Sequence, residues 1–241
     1  MKRGIFLAPF DELADPSLLA ELARDAERAG FDGFFLWDHV AYRPPVEAIL
    51  DPWICMAAIA TATERVLIGP LITPPARRRI HKLARETATL DLLSNGRFVF
   101  GAGLGSDNSG EFSQFGEEAD ARARARLLDD GLAELQRYWE GAFLPKPARR
   151  IPIWLAARWP NRRPVRRAAR FEGLFPIDLP GPEALAELAA EVPPAPFDIV
   201  VTNPPGTDPQ PWVDAGATWC LTGFSNQPAL SDVRAAIAAG A

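Results

Sequence analysis

Cysteine, histidine and methionine are scarce in this sequence, with two of each among 241 residues. Cys55 and Cys220 lie far apart and belong to no CxxC or Cys/His motif, so we expect buried, reduced thiols rather than a disulfide or redox centre. His39 and His81 form neither an H-x-H nor an HExxH motif, which are spacings typical of zinc and iron ligands. The sequence therefore predicts no metal site.

The sequence also lacks an excess of positive charge and any long apolar run. The net charge is −5 at pH 7, so the charge balance favours small molecules over nucleic acid or an anionic membrane surface as partners. The amino terminus, MKRGIFLAPFDELADP, carries two positive charges and then a short apolar run that Pro9 and Asp11 interrupt. That run is too brief for a signal-peptide core or a membrane span. We expect it to form the first strand of a cytoplasmic protein.

Strand-like and helix-like segments alternate along the chain. Hydrophobic residues make up 48% of the sequence and charged residues 24%, a composition typical of a globular protein with a substantial core. Short apolar runs rich in β-branched or aromatic residues are followed by longer segments of helical periodicity. The predicted strands are residues 4–9, 33–38, 66–73, 97–104, 151–157, 173–178, 197–203 and 218–224.

Several helix boundaries are marked in the sequence. Asp15-Pro16 and Asp51-Pro52 each combine a capping residue with a proline at the first helical position. The first predicted helix ends at Gly30, the third spans 79–93, and the fourth has its core face on Leu128, Leu132, Leu135 and Trp139. Eight strand–helix units are the number that closes a (β/α)8 TIM barrel, and we predict one barrel domain over residues 1–241.

Polar residues follow many of the predicted strands. In such a barrel the carboxyl ends of the strands surround one bowl, where active sites are found. These residues are Asp11, Asp38, His39, Thr73, the 105–108 loop, Arg158, Asp178, Asn203 and Thr222. The imidazole of His39 suits general acid or base chemistry at neutral pH, although a strand-end histidine can equally be a structural hydrogen-bonding group.

The glycines of the fourth strand invite comparison with a dinucleotide-binding loop. The stretch GAGLGS, residues 101–106, has glycines two positions apart and is followed by a polar loop. A dinucleotide loop instead has G-x-G-x-x-G between the first strand and a helix, so we reject that reading. Two interpretations remain: the small residues let a ligand approach the backbone, or they let the barrel bend.

An arginine-rich loop follows the fifth strand. The segment Arg158-Trp159-Pro160-Asn161-Arg162-Arg163-Pro164 opens a predicted helix, so guanidinium and backbone N–H groups could hold a phosphate together. The alternative is a solvated basic helix face, because three further arginines continue the charge along this helix. Trp37, Trp53 and Trp159 could stack on a flat ring or fill the barrel ends.

Five segments, in this order, carry a resemblance to a known family. They are AERAGFDGFFLWDHV, DPWICMAAIATATERVLIGPLITPPARRR, LARETATLDLLSNGRFVFGAGLGS, EFSQFG and PIWLAARWPNRRPVRRAARFEG. Together they resemble the bacterial-luciferase-like, flavin-dependent oxidoreductases, most specifically over residues 61–105. The resemblance implies a (β/α)8 barrel whose bowl holds FMN or coenzyme F420, commonly in a homodimer. The run from 138 to 151 is shorter than usual in the family, and we expect a substrate lid to be missing.

The resemblance also implies roles for particular residues. Asp38 and His39 map to the pair beside the reactive ring, with His39 exchanging a proton and Asp38 either orienting it or bonding the ring. Thr73 maps to the end of strand three, which lies against the isoalloxazine, often near a non-proline cis peptide. The loops after strands four and five reach the polar tail of the cofactor. Their implied contacts are Gly103, Gly105, Ser106, Asp107, Ala157, Arg158 and Asn161.

We therefore expect a flavin- or F420-dependent oxidoreductase that reduces or mono-oxygenates a small organic substrate. In such an enzyme the cofactor supplies the redox chemistry, while the protein positions it and excludes water. One alternative is a barrel that binds the cofactor without turnover. A second is a metal-dependent hydrolase or lyase that uses Asp11, Asp38, His39 and Asp178 as ligands.

Overall fold

The computed structural model describes residues 1–241 and contains eight parallel strands. The strands are β1 (Lys2–Leu7), β2 (Gly33–Leu36), β3 (Leu67–Pro70), β4 (Phe100–Ala102), β5 (Ile153–Arg158), β6 (Gly173–Ile177), β7 (Asp198–Asn203) and β8 (Trp219–Gly223). The helices are α1 (Pro16–Arg28), α2 (Pro52–Ala62), α3 (Ile80–Leu93), α4 (Ala121–Arg137), α5 (Arg162–Ala168), α6 (Pro182–Ala189), α7 (Gln210–Asp214) and α8 (Leu230–Ala238). Each predicted strand overlaps one of these strands.

The strands form a nearly closed barrel. Their order is β3-β2-β1-β8-β7-β6-β5-β4, and every pairing in the sheet is parallel. The two outer strands, β3 and β4, are joined by isolated bridges between Ile68 and Phe98 and between Thr73 and Ala102. The prediction of a (β/α)8 barrel is confirmed, and the seam between β3 and β4 is its least regular part.

Glycine permits the close approach of the two backbones at this seam. A Cβ atom on Gly69 would lie 2.2 Å from the carbonyl oxygen of Val99, and one on Gly101 would lie 2.1 Å from that of Pro70. No other residue fits these positions without moving the backbone. The structure therefore assigns Gly101 to barrel closure. The Leu71–Ile72 peptide is cis, at the place where the family resemblance implies a non-proline cis bond.

Two apolar cores lie on the two sides of the sheet. The barrel interior is filled by large aromatic side chains, with ring centroids 5.4 Å apart for Phe35 and Trp154 and 5.3 Å apart for Trp154 and Trp219. The larger core lies between the strands and the helices, where Leu19 and Leu22 of α1 are fully buried. Because the interior is packed, a ligand can enter only at the ends of the barrel.

The helix starts follow the sequence signals. The side chain of Asp15 accepts hydrogen bonds from the backbone N–H groups of Ser17 and Leu18, and Asp51 accepts one from that of Ile54. Each cap is followed by proline at the first helical position, as predicted. Trp139 lies just beyond α4, in a π-helical turn, and donates to the hydroxyl of Thr87.

The connection between α4 and β5 is short. It contains the π-helical turn Tyr138–Ala142 and a loop, with no further helix or strand that could form a lid. The buried carboxylate of Asp91 accepts hydrogen bonds from the backbone of Ala148 (2.7 Å) and Arg149 (3.3 Å) and so holds this loop against α3.

The two cysteines are buried, as expected, and form no disulfide with each other. Burial raises the pKa of Cys55 to about 12 and also raises the pKa of Cys220, so neither thiol ionises readily near neutral pH.

None of the helices combines the length and the apolar character needed to cross a membrane.

Glu27, near the end of α1, organises the start of β3. Its carboxylate accepts hydrogen bonds from the backbone N–H groups of Glu64, Arg65 and Val66, and the side chain is 7% exposed. Burial raises the pKa of Glu27, but the three backbone hydrogen bonds outweigh it and hold the pKa below its ordinary value. The carboxylate thus ties the amino end of the barrel to α1.

We expect Glu27→Gln to destabilise the fold by about 1–3 kcal/mol at pH 7, because an amide replaces a buried carboxylate that accepts three hydrogen bonds. The folded pKa is lowered, so the contribution of the carboxylate is complete above the unfolded value of about 4.3 and is lost as pH falls through the folded pKa. Urea unfolding at pH 7 and below pH 4 should therefore show the difference from wild type shrinking with acid. Glu140→Gln, at an exposed position, is the control and should change little at either pH.

Candidate active site

Three loops bring charged side chains together at the carboxyl end of the barrel. Asp38 and His39 follow β2, Arg77 and Arg78 follow β3, and Glu111 lies in the long loop between β4 and α4. These five side chains form one network of hydrogen bonds and ion pairs. We call it the Asp38–Glu111 network.

Asp38 is buried, and both of its carboxylate oxygens are fully engaged. Oδ2 accepts from the Thr73 hydroxyl and from the Trp53 indole N–H at 3.2 Å. Arg77 donates to Oδ1 at 2.8 Å, and Arg78 approaches both oxygens at 2.9 Å. Four side chains thus donate to this one carboxylate, which offers about four lone-pair sites.

The partner of His39 is Glu111. The Nδ1 atom of the imidazole lies 2.8 Å from Oε2 of Glu111, whose Oε1 accepts from the backbone N–H of Val40 at 2.9 Å. Of the two roles predicted for Asp38, orienting His39 is wrong, because the two side chains share no hydrogen bond and Asp38 is occupied by the arginines. A hydrogen bond from Asp38 to the cofactor ring remains a prediction. Glu111 lies 72 residues further along the chain, so no local spacing could link it to His39.

Arg77 connects the two carboxylates. Its Nη1 donates to Oε1 of Glu111, while its Nη2 donates to Oδ1 and to the backbone oxygen of Asp38, at 2.8 and 3.0 Å. The side chains of Arg77, Asp38 and Glu111 are 6%, 1% and 4% exposed. Buried charges are tolerated only when each has a partner, and here one guanidinium serves both carboxylates.

The same contacts fix the charge of Glu111. Burial raises its pKa, but the hydrogen bond from His39 and the positive charges of His39 and Arg77 outweigh burial, and the pKa is lower than usual. Glu111 is therefore a carboxylate at neutral pH and accepts the Nδ1 proton of His39. This leaves Nε2 as the ring nitrogen that can take up or give a proton.

Aromatic rings surround His39. The centroid of its ring is 5.0 Å from that of Tyr42, 5.7 Å from that of Trp37 and 5.9 Å from that of Phe10. The side chain is 24% exposed. These rings restrict the imidazole to one place without shielding it from solvent.

A cavity of about 430 Å³ adjoins the network, and we call it the His39 cavity. It is lined by Asp38, His39, Val40, Ile49, Leu50, Asp51, Arg77, Arg78, Glu111, Phe115 and Glu117. Its volume is in the lower part of the range of small-molecule sites. The imidazole of His39 is thus within reach of a ligand that enters from the carboxyl end.

Thr73, predicted to meet the cofactor ring, and Gly103 and Gly105, predicted to meet its polar tail, lie beside this network at the seam of the barrel. Thr73 is completely buried and its hydroxyl donates to Asp38. A Cβ on Gly103 would lie 2.9 Å from the side chain of Ile72, and one on Gly105, where φ is +70°, would lie 2.8 Å from the ring of Phe112. Protein packing accounts for both glycines, and their contact with a cofactor remains a prediction.

Ser106 and Asp107 shape the loop that carries Glu111. The Ser106 hydroxyl accepts from the backbone N–H of Asn108 at 3.3 Å. The Asp107 carboxylate accepts from the backbone N–H groups of Phe112 at 2.8 Å and Ser113 at 3.1 Å. These two bonds to Asp107 close the loop on either side of the glutamate. Contact of Ser106 and Asp107 with a cofactor tail remains a prediction.

The predicted anion site at the end of β5 is partly occupied by protein carboxylates. Ala157 is buried, and Arg158 pairs with Asp178 at 2.8 Å, with both of these side chains more than half exposed. Asn161 precedes α5 without using its side chain as a cap, and Arg162 pairs with two glutamates of the following helical region. A phosphate would therefore compete with Asp178 for Arg158.

The residues of the metal-site alternative do not come together. Asp11 accepts from Gln227 and from two backbone N–H groups, Asp178 pairs with the arginine at the end of β5, and Asp38 is enclosed by donors. No three acidic, histidine or cysteine side chains lie close enough to share an ion. The structure contradicts a metal centre built from Asp11, Asp38, His39 and Asp178.

Comparison with known proteins identifies the family. The model of the luciferase-like monooxygenase family matches residues 1–194. The chain belongs to this family. The resemblance carried by the five sequence segments is thereby confirmed.

Individual relatives use either of two cofactors according to their names. The chain is 29% identical over 165 residues to the F420-dependent glucose-6-phosphate dehydrogenase of Amycolatopsis mediterranei, covering 60% of this chain and 49% of that protein. It is 28% identical over 160 residues to the oxygenase component of the flavin-dependent trigonelline monooxygenase of Acinetobacter baylyi, covering 59% and 43%. The chain thus spans about half the length of the curated relatives that it matches.

A solved structure supports the fold over the whole chain. An F420-dependent secondary alcohol dehydrogenase, in complex with an F420–acetone adduct, superimposes with a TM-score of 0.80 and 19% sequence identity. The match covers 98% of this chain and 96% of the other. At this identity the likeness establishes the barrel alone.

Sequence reasoning did not select Arg77, Arg78 or Glu111. The two arginines lie in the segment that follows strand three and so qualify as carboxyl-end residues. Applying the strand-end rule to the whole loop would have included them. Glu111 is part of the family segment EFSQFG, but nothing in its local sequence indicates a buried carboxylate.

We expect Arg77→Met to destabilise the protein by about 3–5 kcal/mol, because it leaves two buried carboxylates without their shared cation. Urea unfolding at pH 7 measures the change. The exposed Arg166→Met removes the same charge from α5 and should cost less than about 0.5 kcal/mol. Equal losses in the two variants would show that the network contributes nothing to stability.

Proposed function

We propose that this protein is an oxidoreductase that uses FMN or coenzyme F420 to reduce or mono-oxygenate a small organic substrate, with His39 as its proton donor or acceptor. The observation that carries the proposal is the His39–Glu111 pair, because it leaves one imidazole nitrogen free beside a cavity at the carboxyl end of the barrel. Family membership and the names of the two relatives support the choice of cofactors.

The chain supplies the proton chemistry. Glu111 accepts the Nδ1 proton of His39, which fixes the tautomer and directs proton exchange to Nε2. When the ring is protonated, the carboxylate stabilises its charge, and when it is neutral, Nε2 can accept a proton. Arg77 acts as a positioning residue because it donates to Glu111, and Asp38 does so because it accepts from Arg77. Both leave Nε2 of His39 free.

The residues fit a flat cofactor ring and an anionic tail. FMN or F420, when bound, would supply hydride or oxygen-transfer chemistry. The ring would lie against the end of β3 near Thr73, and the tail would reach Gly103, Gly105, Ser106, Asp107, Ala157, Arg158 and Asn161. Arg158 suits a phosphate because its partner Asp178 is more than half exposed, and an exposed ion pair is weak enough to be exchanged.

We also propose a cytoplasmic homodimer. The two reduced, buried thiols suit a reducing compartment. Val40 and Phe115, 47% and 54% exposed, line the His39 cavity and offer an apolar surface that a second copy would cover. Light scattering on the purified protein should give twice the monomer mass of 26.3 kDa. Phe115→Glu should lower the measured mass toward that of one monomer. A monomeric wild-type protein would contradict the homodimer.

A titration of the purified protein with FMN and with F420, followed by fluorescence, tests the cofactor directly. Saturable binding of one of them is expected. Binding of neither would contradict the proposed function and favour a barrel with another role.

We expect His39→Ala to lower turnover by about 10²–10⁴-fold while cofactor affinity stays within a factor of about two, because it removes the proton donor but not the cofactor contacts. Turnover is measured as oxidation of the reduced cofactor with small ketones and aldehydes, without oxygen for the reductase reaction and with oxygen for mono-oxygenation, in which O2 is the oxidant. The only other histidine is the exposed His81, so His81→Ala is the matched control and should retain full activity. Unchanged turnover in His39→Ala would remove His39 from the mechanism.

A further inference from the structure

A second cavity, of about 920 Å³, lies at the carboxyl ends of β7 and β8, and we call it the β7/β8 groove. Trp37, Thr202, Asn203 and one face of α8 are part of its lining. None of the residues that line it also lines the His39 cavity. Its volume is that of a site for a drug-sized ligand.

Short elements and small side chains leave this space open. The helix α7 is only five residues long, and it is preceded by a loop that begins Pro204-Pro205-Gly206. Ala235 and Ala236 of α8, and Ala239 just after it, line the groove. Small side chains alone do not define a ligand site, so the polar groups of the lining decide whether this groove is one.

Two residues of the lining each carry a buried hydrogen-bond donor that has no partner within the protein. Asn203, the last residue of β7, is 6% exposed, and its Nδ2 makes no hydrogen bond. The indole Nε1 of Trp37 is also buried and unpaired. A buried donor without an acceptor costs free energy that a ligand oxygen would recover.

Two aromatic rings in the lining of the groove suit a flat ligand. The rings of Phe6 and Trp37 lie 5.8 Å apart, and both side chains line the groove. Trp37 is also a neighbour of His39, with ring centroids 5.7 Å apart. A ring held against Trp37 is therefore next to the proposed proton donor.

The groove offers no cationic partner to an anion. Its lining contains no lysine, arginine or histidine, and its one charged residue is Asp232. A phosphate or carboxylate placed here would lose water without gaining a cation. The phosphorylated sugar in the name of the Amycolatopsis relative is thus poorly matched to this chain.

We propose that the β7/β8 groove is the substrate-recognition site and that it selects an uncharged, flat ring bearing a carbonyl oxygen, such as a lactam or a cyclic ketone. Carbonyl oxygen accepts hydrogen bonds from Asn203 and Trp37, while Asp232 and the absence of cations reject phosphorylated and carboxylated molecules. The assignment to substrate rests on the proposed function, whereas the ligand chemistry rests on the groove alone.

Isothermal titration with three probes tests the selectivity. The probes are 2-quinolinone, which is an uncharged bicyclic lactam, quinoline-2-carboxylate, which has the same bicyclic ring with an anion, and glucose 6-phosphate. We expect 2-quinolinone to bind at least tenfold more tightly than either anion. Equal or tighter binding of an anion would overturn the proposal.

Variants then locate the binding. Asn203→Leu and Trp37→Phe each remove one donor, and each should weaken 2-quinolinone binding by up to about tenfold, the equivalent of one hydrogen bond. Gln136→Leu, a comparable polar-to-leucine change on α4, is the control and should leave the affinity unchanged. Thermal melts confirm that all three variants fold. Affinities unchanged in both groove variants would overturn the proposal.

The same titrations separate this proposal from the proposed function. With FMN or F420 at saturation, 2-quinolinone should still bind, because the cofactor residues lie at the β3–β5 side of the bowl. Loss of lactam binding on cofactor saturation would mean that the groove is the cofactor site, and would overturn the proposal. Failure of both cofactors to bind would contradict the proposed function, while Asn203-dependent lactam binding would still support the groove as a ligand site.

Discussion

The guanidinium of Arg77 holds the candidate site together, because it contacts two buried carboxylates on different loops. Asp38 belongs to the loop after β2 and Glu111 to the loop after β4, so one cation fixes both loops relative to β3. Without it, two negative charges would lie in a region nearly closed to water. The position of His39 depends on this arrangement, since its imidazole is held by Glu111.

The barrel seam and the active-site network are parts of one structure. The close approach of β3 and β4 requires glycine at positions 69 and 101. This approach brings the ends of the two strands to the same side of the bowl. Thr73, at the end of the seam, donates to Asp38 and so connects the sheet to the ion pairs. The opposite side of the bowl, at β7 and β8, has uncharged donors instead, and this division favours proton chemistry on one side and recognition of a neutral ligand on the other.

Periodicity and capping signals predicted the fold well because they report local physics. Asp15 and Asp51 cap their helices as expected, and every predicted strand is present. The fourth strand is shorter than predicted, Phe100–Ala102 rather than 97–104, since its pairing with β3 reduces to isolated bridges at the seam. The glycines of that strand were predicted either to admit a ligand or to let the barrel bend, and contact with Pro70 decides in favour of barrel closure for Gly101.

The sequence by itself determined the barrel and the family, because strands and family segments are local patterns. Only the tertiary structure decided which carboxylate serves the imidazole, since Glu111 is 72 residues away from His39 and reaches it through a loop. It also decided that Arg158 pairs with Asp178, and that the side-chain donors of Asn203 and Trp37 have no partner in the protein. Pairing of charges and donors depends on distances in space, and residues far apart in the chain acquire those distances only when the barrel closes.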